Sequence, residues 1–449
     1  MNVAYFSMSN NTKPKRQRTP ALNRDHARPR TAPALSNAVV EARLTDLISP
    51  ATYALTNYYH QLGLRWRTLN LPVMVALVLT MIWRQVPAVS ILVQMITREK
   101  IMWAPKGRVS QQALSQRLGS LPAELFAKVF EAVLPKLMDR AAARTRPQPP
   151  VIVRALQHFE RLWIVDATTL EALFRKVGLL REAPDVPLGG KLLALLDLPT
   201  KLPIRLWFDD DPATNEKAFL DEVKELLGAG TLLIFDRGFY SFPFFDWLTE
   251  HGLSFVSRAR DLASYRVERV LIQSPNVRDR IIALGAYRSN PCNHPVRLIE
   301  VCVGGIWHRY ITNVLDPTIL STADVADLYG RRWRIEEAFL LVKRLLGLAY
   351  LWTGALNGIQ MQVWATWILY AVLIDLSDAV AEELSLPLDQ ISVEMVFRGL
   401  YHFCGAYQRG EATDPVAYLA AQTDIGIVKR RRKYRERARL DKIPIELNL

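Results

Sequence analysis

Short apolar runs alternate with helical segments between residues 162 and 257, and this alternation restricts the fold more than any other feature. Runs rich in aliphatic and β-branched residues predict strands, and the longer segments with three- and four-residue apolar spacing predict helices. Three early strands followed by strands that alternate with helices predict a mixed α/β sheet. From Tyr265 to Val314 the pattern is mostly strand, which predicts an all-β insertion before the next long helix.

The segments before this region have a different composition. Residues 1–34 are polar, rich in proline and arginine, and without periodicity, so we expect disorder there. Apolar residues then recur with helical spacing from about Leu35 to Arg144. The Pro-rich stretch Thr145–Pro150 predicts a stiff linker, and we place a domain boundary there.

The excess positive charge lies close to the two ends of the sequence. The formal net charge is +13, and residues 11–31 carry seven bases against one acid, whereas residues 428–442 carry nine bases against two acids. The rest of the chain is neutral overall. Clustered bases favour a polyanion, because each neutralised phosphate releases counterions. A solubilising tail would show the same composition, but two basic ends favour nucleic acid as the partner.

A helix-turn-helix is one interpretation of the segment Arg108–Pro122. Ser110 is a candidate N-cap for a short helix that ends at Gly119, and a second helix follows. In such a motif the side chains of Gln111, Gln112, Gln116 and Arg117 would reach base edges. An ordinary pair of surface helices with the same caps is the alternative.

No segment predicts a membrane span or export. The two most apolar runs, Pro72–Trp83 and Val363–Ile374, are each twelve residues long and end at a charge. A bilayer span needs about 18 or more apolar residues, so both runs predict buried core helices. The first residues lack the apolar region of a signal peptide, and three scattered cysteines favour a reducing compartment. We therefore expect a cytoplasmic protein without a membrane partner.

Two aspartates follow apolar strand patterns. Asp166 follows Leu162–Val165, and Asp236 follows Leu232–Phe235. A buried carboxylate at such a place must be paired or bound to metal, since an unpaired buried charge costs several kcal/mol. A turn or helix cap is the alternative for each aspartate taken alone.

A third carboxylate lies in the segment YGRRWRIEEAFLLVK. On an ideal helix Tyr329, Arg332, Glu336 and Lys343 fall within about 60° of one another, beside an apolar stripe. The apolar stripe would pack into the core and direct these polar side chains towards a site. A solvated face with one Arg332–Glu336 pair is the alternative.

These residues resemble a known family. WIVDATTL, FDRGFYS and the pattern Y-x2-R-x3-E-x6-K are similar to DDE transposases of bacterial insertion sequences, in the group with the YREK signature. The resemblance implies an RNase H-like core in which Asp166, Asp236 and Glu336 are catalytic and hold metal. It also implies that Tyr329, Arg332 and Lys343 bind DNA.

The resemblance further implies the cofactor and partners. Three carboxylates suit two Mg²⁺ ions, for which Mn²⁺ would substitute. The partners would be double-stranded DNA, as element ends and as target, and other copies of the chain in a homo-oligomer. The activity implied is cut-and-paste transposition on DNA of the nucleoid. The alternatives are a catalytically inactive, domesticated DNA-binding protein and an RNase H-like nuclease without strand transfer.

Together these expectations divide the chain into consecutive regions. They are a disordered basic tail over 1–34, a helical DNA-binding region over 35–144, the first part of the catalytic core over 151–260, the β insertion over 261–315, the second part of the core over 316–380, and a helical C-terminal region with a basic tail over 381–449.

Overall fold

The computed structural model describes residues 37–170, 190–348, 351–353, 355–422 and 425–429. The predicted N-terminal tail and nearly all of the predicted C-terminal basic segment lie outside the described residues.

A single mixed sheet organises the middle of the chain. The described residues form nine strands: β1 (Arg161–Thr169), β2 (Lys191–Asp197), β3 (Pro203–Asp209), β4 (Thr231–Phe235), β5 (Ser254–Arg258), β6 (Tyr265–Gln273), β7 (Val277–Leu284), β8 (Val296–Val303) and β9 (Ile306–Thr312). Their order is β3-β2-β1-β4-β5-β9-β8-β7-β6. Strands β1, β4 and β5 are parallel, and the other neighbouring pairs are antiparallel. The predicted mixed α/β sheet is therefore confirmed.

The strands of the predicted insertion extend this sheet. Strand β9 pairs with β5, with Val256 opposite Thr312, and β8, β7 and β6 follow outward as an antiparallel array. Strand β9, the last of these strands along the chain, therefore lies beside the parallel strands, and α10 follows it.

Helices precede the sheet, cover it and follow it. Their bounds are α1 (Ala38–Ala54), α2 (Thr56–Gln61), α3 (Leu71–Trp83), α4 (Val89–Arg98), α5 (Gln111–Ser120), α6 (Glu124–Ala143), α7 (Pro150–Ala155), α8 (Leu220–Leu226), α9 (Phe242–Glu250), α10 (Thr322–Arg331), α11 (Trp333–Leu340), α12 (Leu356–Glu383), α13 (Val393–Gln408) and α14 (Pro415–Ala421).

The two faces of the sheet bury different cores. Alternate residues of a strand point to opposite faces, so Ile164 joins a large core that includes α3, α6 and α12, while Val165 joins a smaller one with α8 and α9. The two apolar runs are core helices, as predicted. Helix α12 is long and apolar enough to cross a membrane, but 78% of its most apolar window is buried inside the protein.

The helices before the sheet share their core with α12. Residues of α1, α3 and α6 pack in the same apolar cluster as α12. The segment predicted as a linker is held to α12 as well, because the Thr145 amide donates to Glu382 at 2.8 Å and Arg146 is paired with the buried Asp378. The predicted division into domains stays a prediction.

The candidate helix-turn-helix consists of α5 and α6. Ser110 caps α5 as predicted, since its Oγ accepts a hydrogen bond from the Ala113 amide at 3.1 Å, but α5 continues to Ser120 rather than ending before Gly119. The side chain of Arg117 donates to the Leu69 carbonyl at 3.0 Å and to the Tyr59 hydroxyl. Arg117 is therefore a structural contact in this structure, whereas the three glutamines are exposed.

Candidate active site

Asp166 lies inside β1. The sequence pattern predicts that it follows the strand, but β1 continues to Thr169 because it pairs with β2, with Asp166 opposite Ala194. The residue is 7% exposed, and its Oδ1 accepts a hydrogen bond from the Ala167 amide at 2.8 Å. The strand therefore holds this carboxylate on a rigid element.

Asp236 immediately follows β4, the parallel neighbour of β1. Val165 pairs with Phe235, and the next residue in each segment is an aspartate. Asp166 and Asp236 therefore lie beside each other at the same end of the parallel pair. Asp236 also caps a short 3₁₀ turn, in which its Oδ1 accepts from the Gly238 amide at 2.6 Å. Asp236 can therefore cap this turn and also be a metal ligand.

A third acid joins these two aspartates. One carboxylate oxygen each of Asp166, Glu216 and Asp236 lies within 4.8 Å of the others, and we call these residues the acidic cluster. Glu216 begins a 3₁₀ turn between β3 and α8. Sequence reasoning missed Glu216, because it follows no apolar strand and belongs to no recognised motif.

Glu336 is not a member of the acidic cluster; it is connected to Asp166 by Arg332. The Arg332 guanidinium donates to Asp166 Oδ2 at 2.5 Å and to Glu336 Oε1 at 2.8 Å. Arg332 is 6% exposed, whereas the Glu336 side chain is 36% exposed. The cation therefore separates these two carboxylates in this structure.

The helix that carries these residues is interrupted. Ser321 caps its start, since Ser321 Oγ accepts from the Asp324 amide at 3.1 Å, but α10 ends at Arg331 and α11 begins at Trp333. A π-helical turn then spans Leu341–Leu345. The one helix assumed for Tyr329 to Lys343 is thus divided among three consecutive segments, with Arg332 at the first junction.

Lys343 and Tyr329 lie close to the ends of this region. Lys343 Nζ donates to the Thr169 carbonyl at 2.8 Å and to the Thr168 hydroxyl, which places its charge beside the end of β1. The ring of Tyr329 packs against Tyr310 with a centroid distance of 5.2 Å, and the Arg332 guanidinium lies 5.8 Å from its centre.

Burial dominates the electrostatics of Asp166. It raises the pKa of Asp166 to about 7; Arg332 opposes this shift, and the negative charge of Asp236 adds to it. Burial also raises the pKa of Glu216, while the neighbouring Lys191 lowers it. A second cation close to Asp166 would favour the ionised form that metal binding requires.

The donor set fits a divalent cation of the Mg²⁺ class. The acidic cluster offers three carboxylate oxygens from three separate segments, and hard cations prefer such oxygen ligands. Because Arg332 already bridges Asp166 and Glu336, Glu336 would complete the set only if it exchanged this arginine for the cation.

The raised pKa of Asp166 predicts that metal affinity depends on pH. A proton and a cation compete for the same carboxylate, so Mn²⁺ affinity should rise between about pH 6 and about pH 8, by at most about tenfold per pH unit, and level off above the pKa. Mn²⁺ titrations followed by electron paramagnetic resonance would measure this profile. The Asp166→Asn variant should bind Mn²⁺ weakly or not at all at every pH, and a flat profile for the unmodified protein would contradict the prediction.

Three carboxylates that face one space at the edge of a mixed sheet define a candidate divalent-metal site. Comparisons with known proteins indicate a family in which such a site is expected. Residues 157–372 match the family model of the transposase DDE domain. This match includes every member of the acidic cluster together with Tyr329, Arg332, Glu336 and Lys343.

A relative and a solved structure were also found. The chain is 26% identical over 182 residues to a Geobacillus stearothermophilus protein described as "Probable transposase for insertion sequence element IS5377". That alignment covers 39% of this chain and 48% of the relative, so the chain spans about half of the relative's length. The cryo-EM structure of the piggyBac transposase synaptic complex with hairpin DNA aligns over 88% of each chain, at 14% identity and a TM-score of 0.35. The two sequence matches support the DDE transposase family.

Proposed function

We propose that this protein is a DDE transposase that cuts DNA at the ends of an insertion sequence and joins the freed ends to target DNA. One observation carries the proposal: Asp166 and Asp236 stand side by side on neighbouring parallel strands within the segment that matches the DDE domain. In this proposal the sheet is the RNase H-like core, and the four-residue pattern from Tyr329 to Lys343 is the YREK signature.

Asp166, Asp236 and Glu336 are the proposed catalytic carboxylates. Bound Mg²⁺ or Mn²⁺, as a pair of ions, would activate the attacking oxygen and stabilise the leaving oxygen of the phosphodiester. Asp166 and Asp236 are held by the sheet and by their backbone hydrogen bonds, so they need little rearrangement to act as ligands. Glu336 lies on α11 and is partly exposed, and in this proposal it joins the cluster once Arg332 releases it.

Tyr329, Arg332 and Lys343 are the proposed contacts to DNA close to the cut. Arg332 and Lys343 bring two positive charges to the edge of the site, where a phosphate would approach. A phosphate that takes over Arg332 would free Asp166 and Glu336 at the moment that DNA arrives. The exposed glutamines of α5 and the two basic ends would bind element DNA outside the site, with a homo-oligomer joining two ends on nucleoid DNA in the cytoplasm.

An assay with purified full-length protein tests this proposal. The substrate is linear duplex DNA that carries the inverted repeats flanking the coding region, with a supercoiled plasmid as target. We expect Mg²⁺-dependent release of a 3′-hydroxyl at the repeat and its joining to the plasmid, and neither product in EDTA. Binding of the repeats without cleavage would instead indicate an inactive DNA-binding protein. Cleavage without joining would indicate a nuclease.

A further inference from the structure

We propose that Glu216 is a further ligand of the divalent-cation site, acting with Asp166 and Asp236. The inference rests on the proposed function, because it concerns the same site. Glu216 lies outside WIVDATTL, FDRGFYS and the Y-x2-R-x3-E-x6-K pattern, and the assignment comes from where the chain places its carboxylate.

The position of Glu216 is fixed by its own segment. Glu216 is the first residue of the 3₁₀ turn Glu216–Phe219, and the side chain of Asn215 caps this turn by accepting from the Lys217 amide at 3.0 Å. Phe219, at the other end of the turn, is buried in the smaller core. A capped and anchored turn thus brings a third chain segment to the acidic cluster.

Gly238 provides the space that the Glu216 carboxylate occupies. A Cβ at residue 238 would lie 1.6 Å from Glu216 Oε2 and 3.0 Å from Asp236 Oδ1. Any other residue at 238 would therefore require the Glu216 carboxylate to move from its present position. The glycine that follows Asp236-Arg237 allows the two carboxylates to approach each other.

The charges around the cluster sum to a negative value, which a divalent cation would offset. Glu216 contacts Lys191 at 3.4 Å, and Arg332 contacts Asp166 and Glu336. Even with Lys343 counted beside Lys191 and Arg332, the four carboxylates keep a formal net charge of −1. Glu216 could form its ion pair with Lys191 without approaching two other acids. That approach is unfavourable on its own, because like charges repel. A shared cation gives the approach a physical reason.

Mn²⁺ binding to the full-length protein tests the inference without measuring DNA cleavage. Electron paramagnetic resonance of free Mn²⁺ gives the affinity of each variant. We expect Glu216→Gln to weaken binding by about tenfold or more, the scale on which single groups of a metal site act. Glu225→Gln, on the exposed surface of α8, is the matched control and should bind as the unmodified protein does.

Two further variants separate a ligand from a structural ion pair. Lys191→Met removes the cation that competes for Glu216, so Mn²⁺ should bind more tightly, the opposite of the Glu216→Gln effect. Gly238→Ala keeps every carboxylate but displaces that of Glu216, so it should weaken binding as Glu216→Gln does. If Lys191→Met and Glu216→Gln weakened binding equally, Glu216 would be only the partner of Lys191.

The outcomes distinguish this inference from the proposed function. If Asp166→Asn abolishes Mn²⁺ binding but Glu216→Gln and Gly238→Ala leave it unchanged, Glu216 is no ligand and the proposed function stands. If the unmodified protein binds no Mn²⁺, with or without element-end DNA, both proposals fail. Thermal unfolding without metal checks that each variant is folded.

Discussion

Replacing Asp166 by asparagine is expected to reduce DNA cleavage by at least about a thousandfold, the scale of loss when a central catalytic group is removed. Asparagine keeps the size of the side chain and an oxygen that accepts from the Ala167 amide, so the strand should be preserved. Only the negative charge is lost. The same result is expected for Asp236→Asn, whose amide oxygen can still cap the turn at Gly238.

Cleavage of end-containing DNA in Mg²⁺, measured in single turnover, gives the size of this effect. Asp221→Asn is the matched control, because its side chain is exposed on α8, and it should cut at the normal rate. Tight binding of element ends by all three variants would show that the loss lies in chemistry. Cleavage by Asp166→Asn at a rate close to normal would remove Asp166 from the catalytic set.

The second large effect concerns stability and the buried pair Asp279–Arg297. Both side chains are fully buried, and Arg297 on β8 bonds both carboxylate oxygens of Asp279 on β7. Arg297 also donates to the Leu320 carbonyl at 2.6 Å, and the Thr322 hydroxyl donates to Asp279 at 2.6 Å. The pair therefore joins the strands of the insertion to the start of α10.

Asp279→Asn should lower the free energy of unfolding by about 3–5 kcal/mol, because it leaves a buried guanidinium without its counter-charge. Urea unfolding followed by circular dichroism measures the change. The double variant Asp279→Leu/Arg297→Met removes both charges and should recover much of the loss. Arg266→Met, at the exposed Arg266–Glu268 pair, is the control and should unfold as the unmodified protein does. A small effect of Asp279→Asn would show that the buried network is dispensable.

The sheet and two of its acids were predictable because local patterns determine them. The β-prone runs overlap the strands that form, and the parallel strands β4 and β5 are joined by α9, as an alternation of strands with helices predicts. The predicted end of β1 was wrong by a few residues, because pairing with β2 extends the strand through Asp166. An apolar run ends at the first charged residue, whereas a ladder continues as long as its partner does.

The remaining features depend on contacts that no local pattern records. Glu216 reaches the cluster through the order of the sheet and the missing Cβ of Gly238, neither of which a local run of residues predicts. The common face of Glu336 and Lys343 was calculated for an ideal helix. The chain is instead interrupted at Arg332 and by the π-helical turn, yet Arg332 binds Asp166 of β1 and Lys343 binds the end of the same strand.

The core shared by α12 and the first helices limits how this protein can be divided. Deleting residues 37–146 would strip the apolar partners from the 28-residue helix α12 and leave Asp375 and Asp378 without Arg140, Arg144 and Arg146. The N-terminal part is thus an architectural component, unlike a detachable recognition module. Replacing it with an unrelated segment would require redesigning the interior of the molecule as well as its surface.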